Sequence, residues 1–333
     1  MVNTNTWWIR LMDFPRIQIA VVAGIVLVIG LFISGPSRVL IPLLMMAVGF
    51  YQAWRVYPYT MLAKPDLELA AGGEESIRIL SSNVLMENDR HGDLIDIITK
   101  FDPDILLLME TDQIWLEALA PVLGEYSTVV REPRDDHYGM VFATRLDVNE
   151  ARIVYLTSED TPSIFAQMQG PNGTKFRFVG LHPRPPVPGE STKERDAQIY
   201  YAARFARKAD VPLIAAGDFN DVAWSDTSRT FKHVGQYLDP RIGRGFFSSF
   251  DAKKFWLRFP IDQVFVTEDV AVVSLERLPF IGSDHFPMAT TVRLDSSIAD
   301  RLNSTPEPIS EDEQKLIEDS IVKTRDMLGH SKL

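Results

Sequence analysis

The sequence predicts an α/β fold in which two β-sheets pack face to face with helices outside, behind an N-terminal transmembrane helical hairpin. Three observations predict it. Apolar stretches of strand length alternate with turn signals along most of the chain. Only a few segments carry a helical period. Two long uncharged runs sit at the N-terminus and nowhere else. Many strands with few helices fit a layered arrangement in which each sheet buries a face on the other.

Beyond the first 65 of 333 residues, enough chain remains for one large domain with its own core. There are no cysteines, which excludes disulfides, thiolate zinc sites and cysteine nucleophiles. Five of the 34 basic and one of the 45 acidic residues lie within the first 64 positions, so the remainder carries a net charge of −15. Such a surface repels bulk nucleic acid, because nonspecific binding rests on Lys and Arg neutralising phosphates.

From Ile17 to Ser37, 21 positions are uncharged. At a rise of about 1.5 Å per residue this run crosses a hydrocarbon core of roughly 30 Å. A second uncharged run, Val39–Trp54, has 16 positions and is marginal. Snorkelling by Arg38 and Arg55 lengthens it, and Tyr51, Trp54, Tyr57 and Tyr59 suit an interface belt. Ser34-Gly35-Pro36-Ser37 makes the turn between the runs. A signal peptide fits less well, since no small-residue cleavage site follows the first run and a second apolar run does. Trp7, Trp8 and Leu11 read as an interfacial segment. Arg10 and Arg16 flank one end and Arg55 and Lys64 the other, against Arg38 alone between. Positive residues therefore favour a cytoplasmic position for the domain that follows, on a multi-pass membrane protein. The anchor covers 1–65, with spans at about 17–37 and 39–56. Residues 66–75 (DLELAAGGEE) are a polar connector.

The domain proper, 76–295, opens with a strand, Ser76–Asn83, followed by a helix, Arg90–Lys100. Asp104–Met109 is an apolar run of buried-strand type, and Asp112–Pro121 a short helix stopped by its proline. Strands follow near Ser127–Arg131, Tyr138–Thr144, Arg152–Leu156, Ser163–Gln169 and Lys175–Leu181. Thr192–Lys208 is a helix capped by Thr192, with Ile199, Ala202, Ala203, Phe205 and Ala206 as its apolar stripe. Val211–Ala216 is a second buried strand, and Ile261–Thr267, Val270–Leu275 and Met288–Leu294 complete the set. Residues 296–333 form a polar linker and then an amphipathic helix over Ser310–Met327, opened by a capping box of Ser310 and Glu313.

Five strand exits carry polar groups, which is where rigid elements present side chains to a site. Asn83 follows Ile77–Leu80. Glu110 follows DILLLM, where a carboxylate is close to buried and calls for a partner or a metal. His182 follows KFRFVG, and Asp218 and Asn220 follow VPLIAA as Gly-Asp-Phe-Asn. Asp262 opens a strand, and Asp284-His285 lies in Gly282-Ser283-Asp284-His285-Phe286-Pro287, where a carboxylate can orient the imidazole. Singly, each reads equally well as a turn or packing residue. His137-Tyr138-Gly139 marks a turn into a strand, with Gly139 for close backbone approach. His91 and His233 read as surface or packing residues. The aromatic-rich loop Phe246–Phe259 either packs, lines a pocket or dips into lipid headgroups. Arg184, in a proline-stiffened loop beside His182, is a candidate phosphate holder.

The order of these motifs, Asn83, Glu110, Leu181-His182-Pro183, Gly217-Asp218-Phe219-Asn220, Ile261-Asp262 and Ser283-Asp284-His285-Phe286-Pro287, resembles the endonuclease/exonuclease/phosphatase (DNase I-like) superfamily, and the hairpin suggests a bacterial membrane-anchored branch. The resemblance covers about Ser76 to Leu294. It implies a four-layered α/β sandwich of two mostly antiparallel sheets flanked by helices. It also implies Mg²⁺ or Mn²⁺ held by Glu110 and Asn83 with Asp284 on the metal side. Asp218 and Asn220 then orient the attacking water and the phosphate, Asp262 orients His285 towards phosphorus, and His182 contacts the phosphate. The Asp262–His285 pair is the favoured general base and Asp218 its competitor. The acid that pairs with the middle histidine in DNase I-like enzymes is not identifiable, with Glu159 and Asp160 the candidates by order. The expected activity is hydrolysis of a phosphoester substrate at the lipid bilayer. The alternatives are a membrane-tethered nuclease, which the −15 balance opposes, and a silent scaffold of the same fold.

Overall fold

A computed structural model describes residues 7–156, 161–185, 199–203 and 211–312, with 314, 315 and 318 beyond them. The strands in chain order are β1 (Ile77–Asn83), β2 (Ile105–Met109), β3 (Thr128–Glu132), β4 (Met140–Thr144), β5 (Asp147–Tyr155), β6 (Pro162–Gln169), β7 (Lys175–Leu181), β8 (Leu213–Asp218), β9 (Asp262–Val266), β10 (Ala271–Arg277) and β11 (Met288–Arg293). They form a six-stranded sheet ordered β10-β11-β1-β2-β4-β3 and a five-stranded sheet ordered β5-β6-β7-β8-β9. β1 with β2 and β7 with β8 are parallel, and the other neighbours are antiparallel.

The run Ile105–Met109 explains the layering. Side chains alternate across a strand, so an unbroken apolar run has two faces to bury. Ile105, Leu107 and Met109 point into the core between the sheets, with Phe142, Ile164, Phe178 and Val264. Leu106 and Leu108 point the other way, onto Leu94 and Ile98 of helix α4 (His91–Phe101) and Trp115 and Leu119 of α5 (Gln113–Leu123). On the far side of the five-stranded sheet, Val179, Leu213, Ala215 and Phe265 meet α6 (Asp226–Gly235) and the helical residues 199–203. These are the four layers. The sheets close tightly at Gly180, where an added Cβ would stand 2.2 Å from Ile164 Cγ2 and 2.8 Å from Leu107 Cδ1.

Several boundaries differ from the sequence expectation for local reasons. α5 runs through Pro121 to Leu123 instead of stopping there, because a proline in the last turn forfeits a single backbone bond. Strand β4 starts at Met140, since His137 has φ of +67° and holds the preceding turn. The polar stretch after Leu294 contains a short helix, α7 (Ser296–Leu302). Asp295 caps it by accepting from Ile298 N at 3.2 Å, and Ala299 buries against Ala70 and Ala271. Of the expected Thr192–Lys208 helix, Ile199, Ala202 and Ala203 are buried as its apolar stripe requires, while Thr192, Phe205, Ala206 and most of Ser310–Met327 lie outside the described residues.

The N-terminal helices correct the hairpin of two spans. α1 (Trp7–Leu11) is followed by α2 (Arg16–Gly30) and α3 (Ser37–Val56). The first run, with the longer uncharged stretch, makes only 15 helical residues, about 22 Å, because the chain turns from Leu31 towards Gly35-Pro36. The second takes Arg38 in at its start and continues through Arg55 into a further turn at Tyr59. Among the described residues it is the one helix long and apolar enough to cross a membrane. A multi-pass anchor is therefore not supported. α2 lies antiparallel against α3. Arg16 donates to Gln52 Oε1 at 2.8 Å at one end, and Gly30 meets Ile41 and Pro42 at the other.

Nor do these helices hang free. Tyr59 and Val56 join Val222, Ala223, Trp224 and Ile261 in a cluster with Phe14 and Ile17 against it. Arg55 Nη2 donates to the Trp224 carbonyl at 2.7 Å and pairs with Asp226 at 2.8 Å. Tyr59 donates to the Ala223 carbonyl at 2.6 Å, and Trp224 Nε1 to the Asp13 carbonyl at 2.8 Å. Residues 66–75 are similarly engaged. Leu67 is buried in the main core and bridges to Asn303, and Ala70 N donates to the Val272 carbonyl at 2.8 Å.

Candidate active site

Parallel strands β1 and β2, and β7 and β8, end at the same edge of the sandwich. The antiparallel β9 and β11 begin there. This topology alone gathers Asn83, Glu110, His182, Asp218, Asp262 and His285 from six separate stretches of chain.

Contacts join them. The Asn83 amide donates from Nδ2 to Glu110 Oε1 at 2.7 Å and to Asp218 Oδ2 at 3.1 Å, while its Oδ1 accepts from Leu85 N at 3.1 Å. His285 places Nδ1 at 2.7 Å from Asp262 Oδ2 and Nε2 at 3.6 Å from Asp218 Oδ2. His182 Nε2 stands 3.8 Å from that same oxygen. Asn220 N donates to Asp218 Oδ1 at 2.8 Å, and Asn220 Nδ2 to the Pro183 carbonyl at 3.0 Å, which ties the Asp218 turn to the His182 loop. Asp284 is the one predicted residue whose carboxylate does not join this chain. Its neighbour Ser283 instead donates to the Asn83 carbonyl at 2.9 Å and accepts from His285 N at 3.0 Å.

The backbone is bent to present these groups. Glu110 (φ +61°) and Asn220 (φ +49°) occupy the left-handed region, a conformation that persists only where the surroundings impose it. Gly217 (φ +140°) lets the Asp218 strand end pass Leu181, whose carbonyl oxygen would lie 2.0 Å from an added Cβ. Gly139 does the same beside Glu110, where a Cβ would meet the Thr111 carbonyl oxygen at 1.7 Å.

Electrostatics divides the roles. Burial pushes the Asp218 carboxyl up to about 6, against the lowering influence of His285. Burial also draws His182 below the usual histidine value, so it is neutral near pH 7. Burial acts on His285 in the same direction but is overridden by Asp262 and then Asp218, which raise it to about 10. His285 is thus an imidazolium between two carboxylates. Asp218, Asp262 and His285 are close enough together to hold a cation. Within that group His285 Nδ1 is committed to Asp262 at 2.7 Å.

Glu110 is the better metal candidate. Its side chain is 15% exposed, it pairs with no Lys or Arg among the described residues, and a hard divalent ion prefers such oxygen donors. Asn83 stands beside it, with its Nδ2 on Glu110 Oε1. The donor chemistry fits Mg²⁺ or Mn²⁺.

Sequence reasoning missed four contributors. His137 stands between Glu110 Oε2 and Glu87 Oε1, at 3.2 Å from each. Tyr138 lies 5.4 Å from the His182 ring, with the Arg184 guanidinium 5.7 Å above the tyrosine. Phe250 covers His285 at 4.9 Å, and Ser249 accepts from Asp262 N at 3.1 Å. His137 and Tyr138 carried a signal in their place ahead of Gly139, and Phe250 in the aromatic-rich loop Phe246–Phe259. His91 packs on Trp115 at 4.4 Å, a packing role. His182 Nδ1 has no partner among the described residues, and Glu159 and Asp160 lie outside them.

The model of the Endonuclease/Exonuclease/phosphatase family matches residues 80–285, well over half of the sequence, and the chain belongs to that family. Members of the family are hydrolases acting on phosphoesters. Among solved structures, D. rerio TDP2 complexed with single-strand DNA product is similar at TM-score 0.56 and 18% identity, covering 66% of this chain and 100% of that one. The mannosyl-6-phosphatase of Bacteroides thetaiotaomicron gives 0.51 and 20%, covering 65% and 99%. The human Nocturnin catalytic domain with bound sulfate gives 0.51 and 18%, covering 69% and 99%. At these identities the likeness is one of fold. No curated protein matches the sequence.

Proposed function

We propose that this chain is a divalent-metal-dependent phosphoester hydrolase working at a membrane surface. The observation that supports it most is the unbroken line of contacts from Glu110 through Asn83 and Asp218 to His285 and Asp262. Glu110 and Asn83 hold Mg²⁺ or Mn²⁺, which when bound offsets charge developing on the phosphoryl oxygens. Asp284 is retained as a ligand on that side. Asp218, buried and titrating near neutrality, accepts the proton of the attacking water. Asn220 fixes the Asp218 carboxylate through its backbone N–H. The water oxygen bonds to phosphorus as the opposite P–O bond breaks. His285, kept charged by Asp262, neutralises a phosphoryl oxygen. Neutral His182 offers one N–H to the phosphate. The protonated state of His285 favours Asp218 over the Asp262–His285 pair as the base.

The test uses the full chain in detergent with bis-p-nitrophenyl phosphate and Mg²⁺, Mn²⁺ or EDTA, alongside Glu110→Ala and His285→Ala. Metal-dependent turnover lost in both variants is expected. Activity surviving both would refute the site. Single-stranded DNA at low salt is the arm that tests the nuclease alternative.

A further inference from the structure

The turn at Phe255–Leu257 projects large apolar side chains into the open. Phe255 is 72% and Trp256 62% exposed, their rings edge to face at 4.9 Å. This tip is tied to the N-terminal helices. Gln18, in the first turn of α2, donates from Nε2 to the Trp256 carbonyl at 2.9 Å, and Phe14 packs edge-on against Phe259 at 5.5 Å. Just past the domain end of α3, Met61 and Leu62 are 81% and 83% exposed. Apolar side chains thus crowd the level at which both helices leave the domain. Exposed apolar residues scattered singly need no explanation, but a group at one level marks a contact surface. Aromatic residues suit the boundary between headgroups and acyl chains.

Cations sit just behind the tip. Lys253 is exposed, and Arg258 and Arg277 lie over the same ring, Phe286, at 5.0 and 4.5 Å from its centre. Their hydrogen bonds reach only the carbonyls of Ala252 and Ser248, and no carboxylate pairs with either among the described residues. Arg258 Nε is buried without an acceptor. Partial burial and the charge of Arg258 draw Arg277 below the usual arginine value. Two guanidiniums sharing a ring without a counter-ion make a site for an anionic oxygen group, one residue from His285.

We propose that this underside docks on the bilayer, with Phe255 and Trp256 in the interface and Arg258 and Arg277 holding the phosphate of an anionic phospholipid. The inference rests on the membrane-surface reading above. The apolar tip selects a bilayer over a soluble phosphate, because its rings are continuous with the helices that lead into the membrane.

The test places the full chain in nanodiscs of phosphatidylcholine, with and without phosphatidylglycerol, using lipid brominated near the headgroup end of its acyl chains. Tryptophan quenching in the wild type is compared with Trp256→Phe, a change at an exposed position that leaves the fold intact. A quenched component lost in the variant is expected, whereas equal fractional quenching puts Trp256 in water and overturns the docking. Phosphatidylglycerol should deepen the quenching in the wild type and leave the double variant Arg258→Gln, Arg277→Gln unaffected. An equal response in both removes the headgroup site. A chain that stays soluble outside the discs overturns the whole proposal. Neither readout involves turnover, so failure here leaves phosphoester hydrolysis standing.

Discussion

Asp218 and Asp262 are paired directly across the β8–β9 ladder, and both carboxylates reach one imidazole, that of His285. Antiparallel pairing puts the last residue of one strand opposite the first of the next. Two acids from distant sequence therefore face one side with no loop to position them. Across it burial raises the Asp218 carboxyl to about 6, while Asp262 holds the imidazole through Nδ1.

The first prediction concerns pH. Asp218 must be ionised to accept a proton, so kcat should rise as pH increases through about 6. His285 has a raised value, so its charge is present at neutral pH and is lost as pH climbs through about 10. The profile is a broad bell. Asp262→Asn removes the largest influence holding His285 up, and the alkaline limb should move down by more than about one unit, with kcat reduced roughly 10²–10⁴-fold. Rates against pH, and the histidine ring protons in NMR spectra, check both. An alkaline limb unmoved in the variant would refute the assignment.

Glu110→Gln keeps the size of the side chain and removes its charge. Binding of Mn²⁺, followed by electron paramagnetic resonance, should weaken by about 10-fold or more, given how strongly such ions favour carboxylate oxygens. Thermal unfolding without metal should be nearly unchanged. Unaltered Mn²⁺ affinity would move the metal elsewhere.

Gly139→Ala forces a Cβ onto the Thr111 carbonyl, backbone against backbone. Overpacking of this kind costs about 1–3 kcal/mol, and a domain of this size loses about 2–4 °C of Tm per kcal/mol. Because Thr111 follows Glu110, metal affinity should fall with stability. Calorimetry with and without Mg²⁺ separates the two effects.

Arg55→Gln strips the buried cation that α3 offers to Trp224 and Asp226. Hydrogen bonds to charged groups contribute about 1.5–3 kcal/mol, and the detergent-solubilised chain should lose a comparable amount of stability. For the same reason a protein beginning at Asp66 exposes Trp224, Val222 and Ile261. It should bind a hydrophobic dye and unfold at a lower temperature than the full chain. Equal stability of the two would mean the anchor packs only loosely on the domain.

Much of this was legible in the sequence where one residue's neighbours decide its state. The run Ile105–Met109 reads as a buried strand because every position is apolar, and Lys175–Leu181 matches its expected bounds. The strand exits carrying Glu110 and Asp218 were visible as acids behind the apolar runs DILLLM and VPLIAA. What escaped depends on contacts between distant segments. Nothing local in Glu87 or His137 says that they converge on Glu110. Hydropathy alone ranked the first apolar run above the second. The turn after Gly30 shortened one helix, and tolerance of Arg38 and Arg55 lengthened the other. The polar look of residues 66–75 likewise concealed Leu67 and Ala70, two inward side chains among outward ones.

Asn83, Glu110 and His285 belong to the six-stranded sheet and its loops, while Asp218 and Asp262 belong to the other. The site straddles the meeting of the two sheets and works as a vernier on their alignment. A slide of one sheet over the other by a fraction of a side chain would leave every strand and helix intact and part the Asn83–Asp218 and His285–Asp262 contacts together. On warming, inactivation should therefore run ahead of any change in circular dichroism.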